Sequence, residues 1–366
     1  MPPVYALSLR QLYEQVIADV RDGKAVTIHP ELYRAYSENL VSGVSGVFAP
    51  SSNSDKYLDM QIQFEANTAR FAAYKAFHAT QQLQRQLADA DGVARSPEDF
   101  DRMARAVLNT FNRYQAAEYN TAVARARSAK QWTDFSQPDN MFLFPNLRWI
   151  PSRSADPREQ HMPFYNRVWA KTDPFWNSNQ PGNLWNCKCD WEETDDPVTD
   201  RNPEGLKPAR GLEGNPAKTG QIFTDECTYI KKAGKNAANL IMKEVRKVFR
   251  SDHANDSVTF DTNIGKVLFD KITVQEITKG AKTDKSFFYK QEIALNFDKY
   301  THLLQPLPDE PIDLSHNNHN NVFYRRKKQF IKMKVYKLSL KGYEFRVKLG
   351  EFDSGSLNLY AMTEPY

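Results

Sequence analysis

The sequence predicts an α+β protein: a mainly helical N-terminal domain, a Trp/Cys-rich segment of short strands, and a small C-terminal α+β module with an antiparallel sheet. Three observations carry this. Apolar residues recur at spacings of three and four over residues 1 to about 135, the pattern of successive amphipathic helices. Five of the six tryptophans crowd into residues 136–191, where prolines are frequent and no period holds. Between residues 330 and 349 apolar and charged side chains alternate, the period of a half-buried strand. With 366 residues, 40% of them hydrophobic, the chain can fill two cores, which excludes a wholly disordered protein.

The helices come first. Leu9, Leu12, Tyr13, Val16, Ile17 and Val20 form one apolar stripe. His29-Pro30 opens a second helix, because proline suits a first turn. Residues 48–55, rich in Pro, Ser and Asn, break the pattern. A long helix is expected over about 58–87, carrying Phe64, Phe71, Tyr74 and Phe77. Ser96-Pro97-Glu98-Asp99 is a start signal: serine caps, proline occupies the first turn, and an acid follows at the third position. That helix should run through Val107, Phe111 and Tyr114 to about Lys130. Aromatic stripes at helical spacing read as helix core.

Residues 136–191 should fold as short strands and tight turns around aromatic anchors. Residues 192–220 then carry Pro197, Pro203, Pro208 and Pro216 with acids at Glu192, Glu193, Asp195, Asp196 and Asp200, the composition of a linker or an extended surface arm. The domains on this reading are 1–191, an arm over 192–230, and a module over 231–366.

Within the module, residues 237–249 form a short amphipathic helix with Leu240, Ile241, Val245 and Val248 inward. Val267-Leu268-Phe269 and Ile272-Thr273-Val274 have strand composition. A helix is expected over 287–300 and a polar loop over 309–321. Three β-like runs follow, Phe330–Leu340, 343–349 and 357–362, joined by turns at Lys341-Gly342 and Ser354-Gly355.

Net charge is only +4, so the whole chain is no generic polyanion binder. Its distribution is uneven. Between Tyr324 and Lys348 ten lysines and arginines face one acid, Glu344. Such a run reads either as a solvated, lysine-guarded strand face or as a footprint for phosphate backbones, and its one-sidedness favours the second. Arg325, Arg326, Lys328, Lys332 and Lys334 are the expected nucleic-acid contacts. Mean hydropathy is -0.67, no stretch approaches the roughly 20 apolar residues of a membrane span, and the first residues lack a secretory leader, so no membrane partner is expected. Three cysteines make no disulfide framework and suit a reducing compartment.

His161, Cys187 and Cys189 are ligand types for zinc. Cys-x-Cys is a weaker signal than Cys-x-x-Cys, however, and only the distant Cys227 could add a fourth ligand. A reduced pair under tryptophans explains the cysteines more simply, so no metal and no cofactor is expected. No orienting acid or glycine-rich oxyanion site stands near to make either cysteine a nucleophile.

The same string carries a family resemblance. Arg158 before His161, then Val168-Trp169, Asp173-Pro174-x-Trp176, Pro181-Gly182 and Asn186-Cys187-x-Cys189 resemble the signature region of the Mu F-like phage head morphogenesis proteins. Asn215-Pro216-x-x-Thr219-Gly220 resembles the end of that domain. Members usually carry arginine between the cysteines; Lys188 here keeps the charge but not the planar fork. The resemblance spans roughly residues 5–230. It implies a minor head protein of a phage or prophage, involved in capsid assembly, with portal and capsid proteins as partners. The implied place is the virion, in the inner capsid or portal region, after assembly in the host cytoplasm. His161, Trp169, Asp173, Trp176, Cys187 and Cys189 are then structural motif residues.

The C-terminal order of elements resembles the barnase–EndoU–colicin–RelE ribonucleases, which phages carry fused to head proteins. Gly265-Lys266-Val267, Ile272-Thr273-Val274, residues 277–285 and Leu357-x-Leu359-Tyr360 carry the similarity. It implies a metal-independent RNase-like effector, in which a base takes the 2′-hydroxyl proton, an acid protonates the leaving oxygen, and cations hold the phosphate. Lys282 and Lys285 are expected to face the sheet, where Arg346 and a late hydroxyl or tyrosine, Ser354 or Tyr360, complete the pocket. His302, His316 and His319 are further proton carriers, the last two in a polar loop. No histidine stands near Lys282–Lys285, where many phage relatives have one. The alternative is a module that binds RNA or DNA without catalysis.

Overall fold

A computed structural model describes residues 8–49, 54–277, 279–314, 322–340 and 342–364. The fold is α+β, and the chain divides into two compact units, Met1–Ala237 and Ala238–Tyr366.

The first unit opens with four helices: α1 (Leu9–Arg21), α2 (Pro30–Phe48), α3 (Ser54–Gln84) and α4 (Pro97–Phe135). Each described start has the local chemistry its sequence announces. Ser8 and Gln11 form a capping box on α1, His29 accepts the Glu31 N–H ahead of Pro30, and Ser96 accepts the Asp99 N–H ahead of Pro97. The apolar stripes turn inward, with Val16, Leu32, Phe64, Phe71 and Leu108 wholly buried. Gly43 of α2 lies against the Tyr119 ring of α4, where a Cβ would come within 2.4 Å of the ring. Lys75 and Glu118 are ion-paired in this core, with the Lys75 ammonium 4.4 Å from the Tyr36 ring centroid and the Tyr229 hydroxyl donating to Glu118.

A short helix, α5 (Pro138–Leu143), leads into a three-stranded antiparallel sheet: β1 (Asn146–Ile150), β2 (Val168–Ala170) and β3 (Asp190–Thr194), in the order β2-β1-β3. Two 3-10 helices, Glu159–Phe164 and Pro174–Asn177, complete this segment. Register sets Leu147 opposite Trp169 and Trp149 opposite Trp191.

Residues 192–230 depart from the expected linker or extended surface arm. Glu192, Glu193 and Thr194 pair with β1, α6 (Pro216–Thr219) forms, Leu212, Ile222 and Phe223 are buried, and Phe223 stacks on Phe71 at 4.1 Å. The first unit therefore extends to Ala237. Proline and glycine report the lack of a helix or strand. They do not report exposure when side chains elsewhere satisfy the irregular backbone.

α7 (Thr228–Asp252) carries a break at Gly234, which sits at φ 74. The second unit holds a six-stranded sheet of order β4-β5-β9-β8-β7-β6. Its strands are β4 (Ser257–Thr262), β5 (Gly265–Asp270), β6 (Leu304–Glu310), β7 (Phe330–Leu340), β8 (Tyr343–Phe352) and β9 (Leu357–Thr363). The expected meander is β7-β8-β9, and β5 adds to it in parallel. The helices are α8 (Lys271–Ile277), α9 (Asp284–Leu295), α10 (Phe297–Tyr300) and α11 (Val322–Lys327).

Ile272-Thr273-Val274 is helical in α8, not strand. The Asp270 carboxylate accepts the Ile272 and Thr273 N–H groups at 2.9 and 3.2 Å, a cap that outweighs β-branched propensity. Residues 309–310 of the expected polar loop close β6. Residues 315–321, with His316 and His319, and Lys341 of the β7–β8 turn lie outside the described residues.

Candidate metal centre and basic C-terminal sheet

His161 enters the Trp-rich core from the first 3-10 helix, and its ring meets Trp149 edge to face at 5.1 Å. Its Nε2 is 2.8 Å from Asn183 Oδ1, while Asn183 Nδ2 donates to the Ser178 carbonyl at 3.1 Å. The amide therefore presents its oxygen to the ring, so Nε2 carries the proton and Nδ1 keeps a lone pair. That lone pair faces Cys187 Sγ at 3.4 Å and Cys189 Sγ at 3.5 Å. All three ligand atoms lie within 4.8 Å of one another. Among the described residues no other His, Cys, Asp or Glu joins them. Cys227 is buried elsewhere, against Gly211.

The cysteine loop is held in place by its backbone. Asn186, at φ 57, donates its N–H to Thr121 Oγ1 at 2.8 Å, and the Cys189 N–H points to Cys187 Sγ at 3.4 Å. Donation from Cys189 holds Cys187 well below the usual thiol range despite burial, and Cys189, as that donor and as a buried group, is pushed up. The Trp149 Nε1 and Tyr165 hydroxyl are buried beside Cys189 without a partner at full hydrogen-bond geometry.

The other motif residues brace this centre. Trp149, Phe164, Trp169, Trp176 and Trp191 form one buried cluster with both cysteines. Asp173 accepts the Phe175 N–H at 2.8 Å and so starts the second 3-10 helix. That helix stacks Phe175 on Trp169 at 4.3 Å and lets the Trp176 indole donate to the Ala170 carbonyl at 3.0 Å. Sequence reasoning missed Asn183 and Arg125. The amide gave a faint signal, one residue past the Pro-Gly turn; the arginine gave none, because helix-surface and buried arginines look alike in sequence.

Arg346 and Ser354, expected in one phosphate pocket, do not meet around one point. Arg346 pairs with Thr363 at one end of the β8–β9 hairpin, and Ser354 lies in the turn at the other, roughly 20 Å away at about 3.4 Å per residue. Ser354 shares a hydrogen bond with Ser356. Tyr360 is buried with Ile272, Phe330 and Met333, and burial pushes its hydroxyl above the ordinary tyrosine range. The Lys282 amide donates to Glu364 and the Lys285 amide to Asp284. His302 sits in a 3-10 helix at Thr301–Leu303.

Acids from distant positions meet much of the basic run. Arg326 pairs with Asp270 at 2.5 Å, Lys332 with Asp309 at 2.5 Å and Lys334 with Glu351 at 2.9 Å. Glu310 pairs with both Arg346 and Lys348, and Glu344 with Lys337. Arg325 and Lys328 remain exposed, the latter with its ammonium 4.8 Å from the Tyr324 ring centroid. Among the described residues no helix is long and apolar enough to cross a membrane. No family model, curated protein or solved structure matches this chain.

Proposed function

We propose that the chain is a minor head protein of a phage or prophage, similar to the Mu F-like proteins. Its first unit serves assembly with portal and capsid proteins. Its second unit contacts nucleic acid without cutting it. One observation carries the first part: His161, Trp169, Trp176, Cys187 and Cys189 are all buried in one core. Residues so placed specify a shape, and assembly needs a shape. The test is mass spectrometry of purified particles from a host that encodes the chain. The chain should be present in a few copies per particle, and particles lacking it would refute the reading.

The non-catalytic reading of the second unit rests on the separation of Arg346 from Ser354 and on the burial of Tyr360. Exposed Arg325 and Lys328 are its phosphate contacts. Expression of the full chain in bacteria should leave cellular RNA intact. Cleavage that disappears in a Lys282→Ala/Lys285→Ala variant would restore the ribonuclease reading.

A further inference from the structure

We propose that His161 Nδ1, Cys187 Sγ and Cys189 Sγ bind a thiophilic divalent cation of the zinc class, with solvent as the fourth ligand. The inference is independent of the assembly reading, and neither needs the other.

Two of the three separations fit such an ion, and the sulfurs, which lie within 4.8 Å of each other, would close to about 3.8 Å around it. Zinc–nitrogen bonds of about 2.0 Å and zinc–sulfur bonds of about 2.3 Å at tetrahedral angles set nitrogen and sulfur about 3.5 Å apart. The two nitrogen–sulfur distances here are 3.4 and 3.5 Å. The histidine is already in the ligating tautomer, because Asn183 Oδ1 accepts the Nε2–H hydrogen bond and the amide is itself fixed by the Ser178 carbonyl. An outer partner of this kind is what metal-bound histidines regularly have. Two thiols and an imidazole also suit zinc better than calcium or magnesium, which select oxygen.

The surroundings point the same way. A Trp149 indole N–H and a Tyr165 hydroxyl, both buried and short of partners, flank Cys189. Buried donors without acceptors cost free energy. A metal-bound thiolate holds the electron density that such donors seek, which a neutral thiol lacks. As the cation enters, the remaining thiol protons leave to solvent and two sulfur–metal bonds form. A cleft of ≈ 270 Å³, lined by Arg127, Arg153, Lys188 and Asp190 together with Cys187 and Cys189, borders the cysteine loop.

The test uses the full chain, reduced, purified without immobilised metal and analysed by mass spectrometry for bound zinc. The apo chain is then titrated with cobalt(II), whose thiolate complexes show sulfur-to-metal charge transfer. We expect about one zinc per chain and a saturable charge-transfer band. The band should vanish in Cys187→Ser and in Cys189→Ser and persist in Cys227→Ser. Asn183→Leu should weaken affinity about 10–100-fold with unchanged circular dichroism. If the serine variants misfold, the wild-type titration and Asn183→Leu still decide. A wild-type chain that holds no zinc and takes up no cobalt overturns the proposal, as does a band that survives in the Cys187→Ser/Cys189→Ser double variant.

Discussion

Arg125 Nη1 donates to the carbonyl of Leu212 at 2.8 Å from a side chain that is fully buried. Its other terminal nitrogen reaches the Gly214 carbonyl at 3.2 Å and the Glu213 and Gln221 carbonyls at 3.5 Å, and the Gly182 carbonyl lies 3.5 Å from Nη1. One side chain of α4 thus ties the Pro-Gly turn beside the cysteine loop to the irregular backbone of residues 212–221.

Arg125→Lys should therefore be costly although it keeps the charge. A single ammonium cannot span these carbonyls as a planar fork does, and carbonyls left dry cost about 1–3 kcal/mol each. We expect a loss on the order of 3 kcal/mol in urea unfolding of the full chain. Wild-type stability in Arg125→Lys would show that water replaces the fork.

Lys290 makes stability depend on pH. Its side chain is fully buried, and burial, partly offset by Glu364 and reinforced by Arg246 and Lys282, pulls its pKa down to about 8. The unfolded chain binds more protons than the folded one between that value and the ordinary lysine value near 10.4. Charging the buried amine below about pH 8 therefore costs stability, and that cost is relieved as pH rises through this window. Lys290→Met should remove a rise on the order of 3 kcal/mol between pH 8 and 10.4. The readout is the difference between wild-type and variant unfolding curves. Parallel pH profiles would mean that the folded state solvates this amine.

Glu310 should restrain nucleic-acid binding. Its burial is outweighed by Lys348 and Arg346, which hold its carboxyl below the usual carboxylate range. Glu310→Gln frees both cations. Affinity for a single-stranded oligonucleotide should rise, and the slope of log K against log salt should steepen by about 0.7 per added phosphate contact. Fluorescence anisotropy across a salt series measures both. An unchanged slope would remove this face of the sheet from the interface.

Gly350 accommodates the Phe330 ring, since a Cβ there would lie 2.3 Å from ring carbons. Gly350→Ala should cost about 1–3 kcal/mol by overpacking. Phe330→Leu in the same chain should recover part of that loss, and additive effects in a double-mutant cycle would refute the contact.

Local rules made much of this fold legible in sequence. Ser96-Pro97 announces α4 because capping involves adjacent residues only. The alternation of Met333 and Val335 with Lys332 and Lys334 announces β7 because strand period is local too. Ile272-Thr273-Val274 misled because one carboxylate, Asp270, overrode the propensity of three residues. The arm over 192–230 misled because composition does not say which distant side chain satisfies a carbonyl. The His–Cys cluster was half legible: His161, Cys187 and Cys189 stand out as ligand types, but their convergence depends on Asn183 and on a loop anchored to Thr121.

By itself, then, the sequence determined where helices and strands begin, which faces are apolar, and that two differently built units follow one another. Tertiary structure alone decided that 192–237 belongs to the first unit, that the lysines and arginines of the late strands meet acids, and that a histidine nitrogen faces two sulfurs. The physical reason is one of range. Capping and periodicity act over a few residues along the chain, whereas ion pairs, ligand convergence and carbonyl satisfaction join positions tens of residues apart and exist only once the backbone has closed around them.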